Sequence, residues 1–341
     1  MLKVHINKTQ IHYLSAEVER SIESFCGAFS IETKQNLKCK INDNVLIYTE
    51  NDKIITGKIE NINDKVDKGT YSLSITGRDK TGELIDSYIK PKQYKHRNFK
   101  NLIEAVLKDN GFNFKIIQDV PLLKLIDKID DGGQDKIFDF LDTYAKKAQV
   151  LLFTDEDGDL VITREGSDLA VNKLTSDNII NSTLQSNSSE NYRFIDVYGS
   201  VKNNFTSKRA DQKASIINNL SNTNKRLIVK VENNSSYKTL NLTANWYKNV
   251  KQAKGSKYEC SVKGHSQNGL LWKPNSIVNL IDKRKSINGT FLIQGVKYRS
   301  GADGDITDLS IVNLGSFGLP PINPLLSKLI ASGKDLATRF K

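Results

Sequence analysis

The chain has 341 residues, with 50 Lys and Arg against 39 Asp and Glu and a net charge of +11. Its length predicts two or three domains, and 38% hydrophobic residues suffice for an ordinary core, which excludes global disorder. No run of about 18 apolar residues occurs, so no transmembrane helix or membrane anchor is expected.

Residues 1–14 alternate apolar and polar side chains without a signal-peptide core, so the chain is expected to be made and kept in a cytoplasm. Three cysteines, Cys26, Cys39 and Cys260, do not make a disulfide framework. His5, His12, His96 and His265 have no ligand spacing, so neither a metal nor a cofactor is expected. The bias toward Asn, Lys and Ile fits an AT-rich genome, which weakens the charge as a sign of a nucleic-acid partner.

In chain order, residues 1–91 read as a first β-barrel. Val4 and Ile6, then Ile11 and Tyr13, alternate, and Ala16–Thr33 has strand-like spacing broken at Gly27. Val45–Tyr48 and Ile54-Ile55 flank a turn at Asn51-Asp52, and Asp67-Lys68-Gly69 supplies another. Residues 92–170 read as a small α+β unit. Phe99, Leu102, Ile103, Val106 and Leu107 share one helix face that stops at Asn110-Gly111. Residues 113–118 look like a strand. Ile137, Phe138, Leu141, Tyr144, Ala145 and Ala148 mark a second helix, and Val150–Phe153 and Leu160–Thr163 flank an acidic hairpin.

Residues 171–202 and 258–318 read as a second β-barrel, with 203–257 inserted as a loop and helix region. The polar stretch 203–225 reads as a long loop, and Leu240–Val250 as a helix carrying Ala244 and Trp246. Residues 319–341, broken by Pro320, Pro321 and Pro324, read as a C-terminal tail with a basic helix over Leu325–Phe340. Leu325, Leu326, Leu329 and Ile330 lie on or near one side of it, and they are the candidate partner interface; Lys328, Lys334, Arg339 and Lys341 suit an acidic partner.

The two β regions share a pattern. Gly57 to Ile62, a turn, and Gly69 to Ile75 parallel Gly289 to Val296, a turn, and Gly304 to Ile311; Val45–Ile47 and Val278–Leu280 precede them. A true repeat would place two similar barrels, bridged by the α+β unit, in one chain.

No catalytic constellation is expected. Asp155-Glu156-Asp157-Gly158-Asp159 resembles the start of a calcium loop, but the twelfth position is Gly166 and the flanks are strands, so it reads as a hairpin turn. Gly264-His265-Ser266 lacks an acid and an elbow context. Cys26 lies in an apolar strand and reads as a small hydrophobe. Lys and Arg are spread along the chain, with 8% aromatics. A basic β-barrel that binds nucleic acid is therefore the alternative, tested by a steep salt dependence.

Several motifs in order resemble the Mu-type phage baseplate hub family. Arg20-Ser-Ile-Glu-Ser-Phe-Cys-Gly-Ala-Phe29 resembles its opening strand motif, and Gly77-Arg-Asp-Lys-Thr-Gly-Glu-Leu-Ile-Asp86 the motif closing its first barrel. Phe138 to Ala145 followed by Gly158 to Thr163 resembles its α+β domain. Ala244-Asn-Trp246, Val262-Lys-Gly264 and Gly269 to Asn275 resemble its second barrel. The resemblance implies a mainly β fold with an α+β insert: two related tube-like β-barrels bridged by a small α+β domain. It implies a homotrimer, pseudo-sixfold because each chain holds two barrels, sitting between the tail tube protein and the tail spike protein. Tape-measure and baseplate wedge proteins are further expected partners. DNA would transit the lumen without specific binding, and the protein would reside in the virion tail baseplate after assembly in the host cytoplasm. Hubs of contractile bacteriocins or secretion-type spikes are the related alternative, and a fused tail lysozyme the enzymatic one.

Overall fold

A computed structural model describes residues 1–50, 52–95, 98–120, 129, 133–148, 150–166, 168–202, 209–219, 221–234 and 237–317. The chain opens with β1 (Lys3–Ile6), β2 (Thr9–Ile11), β3 (Ser15–Ser21), β4 (Ala28–Thr33), β5 (Asn44–Tyr48), β6 (Lys53–Asp67) and β7 (Thr70–Asp79), ordered β3-β4-β7-β6-β5-β1-β2 in the sheet. Alternation decides which side is buried: Phe29, Ile31 and Thr33 of β4 face the core and their neighbours do not. Two of the two-residue hairpins here use residues with positive φ, Asn7-Lys8 at 48° and 71° and Lys68-Gly69 at 45° and 81°. That geometry matches the right-handed twist of the strands they join.

Next come α1 (Gly82–Asp86), α2 (Phe99–Asn110), β8 (Ile116–Gln118), α3 (Ile137–Ala148), β9 (Leu151–Thr154) and β10 (Leu160–Thr163). Helix α2 starts where the Asn98 side chain accepts the N–H groups of Lys100 and Asn101, and it ends at Gly111 with φ 84°. Its Leu102, Ile103, Val106 and Leu107 are buried with Ile137, Leu141 and Tyr144 of α3 and Leu160 and Ile162 of β10. Strand β10 is central, parallel to β8 and antiparallel to β9.

The third region contains β11 (Asp168–Thr175), β12 (Ile179–Ser186), β13 (Phe194–Lys202), β14 (Arg209–Ile217), β15 (Arg226–Asn234), α4 (Tyr237–Gly255), β16 (Ser256–Lys263), β17 (Ser266–Gln267), β18 (Leu270–Leu271), β19 (Ser276–Asp282), β20 (Ile287–Gly301) and β21 (Gly304–Asn313). Two expectations are corrected here. Residues 209–217 are not loop but β14, paired antiparallel with β13 from Arg209↔Lys202 to Ile217↔Phe194. The inward Ala214 and Ile216 are too few, and too diluted by Gln212 and Ser215, for a period of two to be visible. Strand β13, read with the second barrel, instead forms a separate sheet ordered β14-β13-β15. Its Ile195 and Val197 are buried with Leu240 and Ala244 of α4, so its hydrophobic face has its own cover. Helix α4 also runs beyond the expected 240–250.

The repeat is present in the topology. One unit is ordered β3-β4-β7-β6-β5-β1 and the other β12-β16-β21-β20-β19-β11. Strands β6 and β20 each have 15 residues and β7 and β21 each have 10. The β6–β7 register shifts between Ile59 and Asn61, and the β20–β21 register between Ile293 and Gly295, so one bulge recurs at Glu60 and at Gln294. Register makes Ile75 correspond to Leu309, two residues from where the motif similarity aligns them. The units differ in one flank: β1 is antiparallel to β5, whereas β11 is parallel to β19.

The two units do not stand apart. Strand β20 pairs antiparallel with β3 from Gly295↔Ser21 to Ser300↔Ala16, which makes one 13-stranded sheet. A single hydrophobic core accordingly runs through both, from Ile31, Ile47 and Ile75 to Tyr258, Trp272, Leu280 and Ile293.

Close packing at the β6–β7 crossing needs glycine. A Cβ at Gly77 would lie 2.0 Å from the Lys58 carbonyl oxygen and 2.6 Å from Cζ of Phe29. Replacement therefore separates two paired strands and displaces a buried ring. Gly77→Ala is expected to destabilise the chain by about 3 kcal/mol, read as a lower denaturation midpoint. An unchanged midpoint would show that the strands part at no cost.

Candidate assembly site

The side chains that join the three parts cluster where β3, β7, β9 and the 155–159 turn meet. Asp79, at the end of β7 and 4% exposed, accepts four hydrogen bonds. Gly27 N–H donates at 2.7 Å, Thr154 Oγ1 at 2.7 Å, Thr81 N–H at 3.0 Å and Thr81 Oγ1 at 2.5 Å. One carboxylate thereby ties the start of β4, the start of α1 and the end of β9. Beside it the buried Arg20 of β3 donates Nη2 to the Thr154 carbonyl at 2.6 Å. The preceding residue, Arg78, donates Nε to Glu60 at 2.8 Å and also pairs with Asp86, so the bulge of β6 and helix α1 share one guanidinium, which they hold more firmly charged.

The acidic turn is a second clasp. Asp155 accepts the N–H groups of Asp157 and Asp159 at 3.0 and 2.8 Å, and Gly158 takes φ 70°. Asp157 pairs with Lys53, and that hydrogen bond lowers its carboxyl pKa. Asp159 lies 3.8 Å from Lys80, and Glu156 lies 3.5 Å from Arg20 and 3.8 Å from Lys273. The carboxylates thus meet cations from both β units, and among the described residues no group of His, Cys, Asp and Glu is arranged to hold a metal ion.

Other candidates have structural surroundings. His265, 7% exposed, contacts Thr307 Oγ1 at 3.0 Å and Ser300 Oγ at 3.2 Å, and burial lowers its pKa. Ser300 also accepts the Leu2 N–H at 3.1 Å, so this histidine braces the first segment of the chain against β20 and β21. Burial pushes the thiols of Cys26 and Cys260 up to about 12, far from a nucleophile's range. Leu325, Leu326, Leu329 and Ile330 lie outside the described residues.

Several strand edges stay open among the described residues, and two of them, on β6 and β12, lie in the repeated units. Strand β6 pairs with β7 from Gly57 onward, but with β5 only up to Lys58, so Asn61–Asp67 has no neighbour on one side. Strand β12 pairs with β16 alone. Both edges are composed largely of exposed residues, and Val66 is 70% exposed. Motif reading missed them because Asn, Asp and Lys, which strands disfavour, dilute their few apolar residues.

Glu165, which follows β10 after one residue, is 1% exposed and accepts backbone N–H groups of Gly315 and, at 2.7 Å, Phe317. It fastens the segment after β21 to the α+β unit. Burial raises its pKa from 4.5 to about 7. Below about 4.5 both folded and unfolded chains hold the proton; between there and about 7 only the folded chain does, so stability falls as pH rises through that window. Acidification from about pH 7.5 to 5.5 should therefore raise the melting midpoint of the native chain relative to Glu165→Gln, whose amide cannot titrate. Parallel pH curves would refute the assignment. Asp79→Ala strands buried donors of Gly27, Thr81 and Thr154, and should cost about 3 kcal/mol in chemical denaturation; a cost under about 1 kcal/mol would mean that water replaces the carboxylate.

Comparison with known proteins follows this geometry. Residues 238–319 match the family "Mu phage baseplate assembly protein GpP, fourth domain". The 43 kDa tail protein of prophage MuSo2 from Shewanella oneidensis superposes with a TM-score of 0.81 at 20% identity, covering 92% of this chain and 98% of that one. The tail protein of Neisseria meningitidis MC58 gives 0.79 at 18% identity, covering 93% and 97%. A component of the Escherichia coli type VI secretion system gives 0.60 at 9% identity, covering 94% and 79%. No curated protein matches the sequence. No described helix is long and apolar enough to cross a membrane. Residues 238–319 are thus similar to the GpP fourth domain, and the chain as a whole shares the fold of the MuSo2 and Neisseria tail proteins.

Proposed function

We propose that this protein is the baseplate hub of a contractile phage or phage-like tail. It acts as a trimeric, pseudo-sixfold ring that joins the tail tube to the central spike and serves as a conduit for DNA. The observation that carries this reading is the repeat of one strand order, β3-β4-β7-β6-β5 and β12-β16-β21-β20-β19, within one chain. Three such chains present six equivalent β units, which suits a sixfold tube.

The same chain supplies threefold features. The α+β unit follows only the first repeat. The β13–β15 sheet with α4 interrupts only the second, between β12 and β16, where the first repeat has the short link from β3 to β4. Six like units and two kinds of appendage, three copies of each, are what an adaptor between sixfold and threefold partners requires. Its work would be interface formation without catalysis. Each chain carries +11, and a dense basic lumen would hold DNA phosphates through counterion release. The excess Lys therefore belongs on outer or partner-facing surfaces. The likeness to the type VI secretion component supports an equivalent place in a secretion-type spike as the second reading.

Light scattering of the purified chain over a concentration range tests the ring. A mass about three times 38.3 kDa, with ring particles of six lobes by electron microscopy, is the expected outcome. A strict monomer, also in the presence of the spike protein, would overturn it. Steeply salt-dependent DNA binding would favour the nucleic-acid-binding alternative.

A further inference from the structure

The internal repeat predicts which strands meet between neighbouring chains. Within the chain, the two units join through the second half of β20 and strand β3. The structural counterpart of β20 in the first unit is β6. The counterpart of β3 in the second unit is β12, because each is the strand beside the one that pairs with β7 or β21. Both counterparts have open edges.

We infer that residues 61–66 of one chain pair antiparallel with residues 182–187 of the next, reproducing the β20–β3 junction between molecules. The register follows from the repeat. Gly295↔Ser21, Lys297↔Glu19 and Ser300↔Ala16 become Asn61↔Asn187, Asn63↔Gln185 and Val66↔Ser182. This assignment rests on the ring reading of the protein and gives that ring its contact.

The side chains fit the role. In the internal junction Val296, Tyr298, Val18 and Ala16 face the core and are at most 2% exposed. The inward positions of the proposed junction hold Ile62, Asp64 and Val66 on one strand and Ser182, Leu184 and Ser186 on the other. Ile62 and Leu184 already pack against the main core while only partly buried, and Val66 is 70% exposed, so a neighbouring strand would complete their cover. Residues 182–187 carry no charge, so nothing there opposes Asp64 or Lys65. Those two charges also discourage random edge pairing. Each chain offers one edge of each kind, so the contact is head to tail, and it closes when the rotation permits.

Paired cysteines in the full chain test it. In Asn63→Cys with Gln185→Cys, the two thiols oppose each other on adjacent antiparallel strands, within disulfide reach. Mild oxidation should give reducible chain-to-chain bonds in a ladder that ends at three chains. Each single variant should give none, since Cys26 and Cys39 are partly covered and Cys260 is buried. Asn63→Cys with Asn181→Cys places the second thiol about 13 Å out of register and should link poorly. A trimer by light scattering with no in-register link would overturn the strand pairing and leave the ring standing. In-register links that continue past three chains would support the pairing and sink the ring. A chain that stays monomeric and unlinked at every concentration would overturn both.

Discussion

Six backbone pairings between β20 and β3 set the architecture. They join two β units, far apart in sequence, into one sheet and one core. An edge strand is a liability because its N–H and C=O groups seek partners. Here one edge of each unit is used up internally, and the matching edges on β6 and β12 are left open. The arrangement is directional, and it explains why β20, flanked by β21 on one side and by β19 and β3 on the other, carries some of the most buried side chains, including Tyr298 and Phe291.

The α+β unit is held on that sheet by polar contacts together with apolar ones such as Phe25 stacked on Phe138. Asp79 collects four hydrogen bonds, and the acidic turn meets Lys53, Lys80, Arg20 and Lys273. Exposed ion pairs contribute at most about 1 kcal/mol each, so most of the polar hold belongs to the buried Asp79 and Arg20, whose partners would otherwise lie unsatisfied. A small apolar patch of Ile22, Leu292 and Val312, with Leu151 and Phe153 against it, fills the seam. Hydrogen bonds need defined geometry, and that fixes the orientation of the α+β unit on the sheet.

Repetition with unequal insertion gives the chain two like units with unlike appendages. The common strand order makes the units alike in their strands. The β13–β15 sheet, with its own core of Ile195, Val197, Leu240 and Ala244, distinguishes them.

Local chemistry was legible from the residues alone. Helix α2 was marked by its 3.6 period, Asn110-Gly111 by its left-handed stop, the Lys68-Gly69 hairpin by its turn residues, and the likeness to Mu-type baseplate proteins by short motifs in order. The Asp155 turn was rightly read as a hairpin, since strands flank it. The roles of Asp79, Arg20 and Glu165 were not legible, because their partners lie far away in the chain. Strand β14 was hidden by its polar composition, and β13 was misplaced because an apolar strand does not announce which sheet will cover it. By itself the sequence determined periodicity and turn positions, which depend on side chains near one another, and suggested a repeat. Only the tertiary structure decided which edges pair and which stay open, because strand pairing uses backbone groups that every residue carries and burial then selects the register.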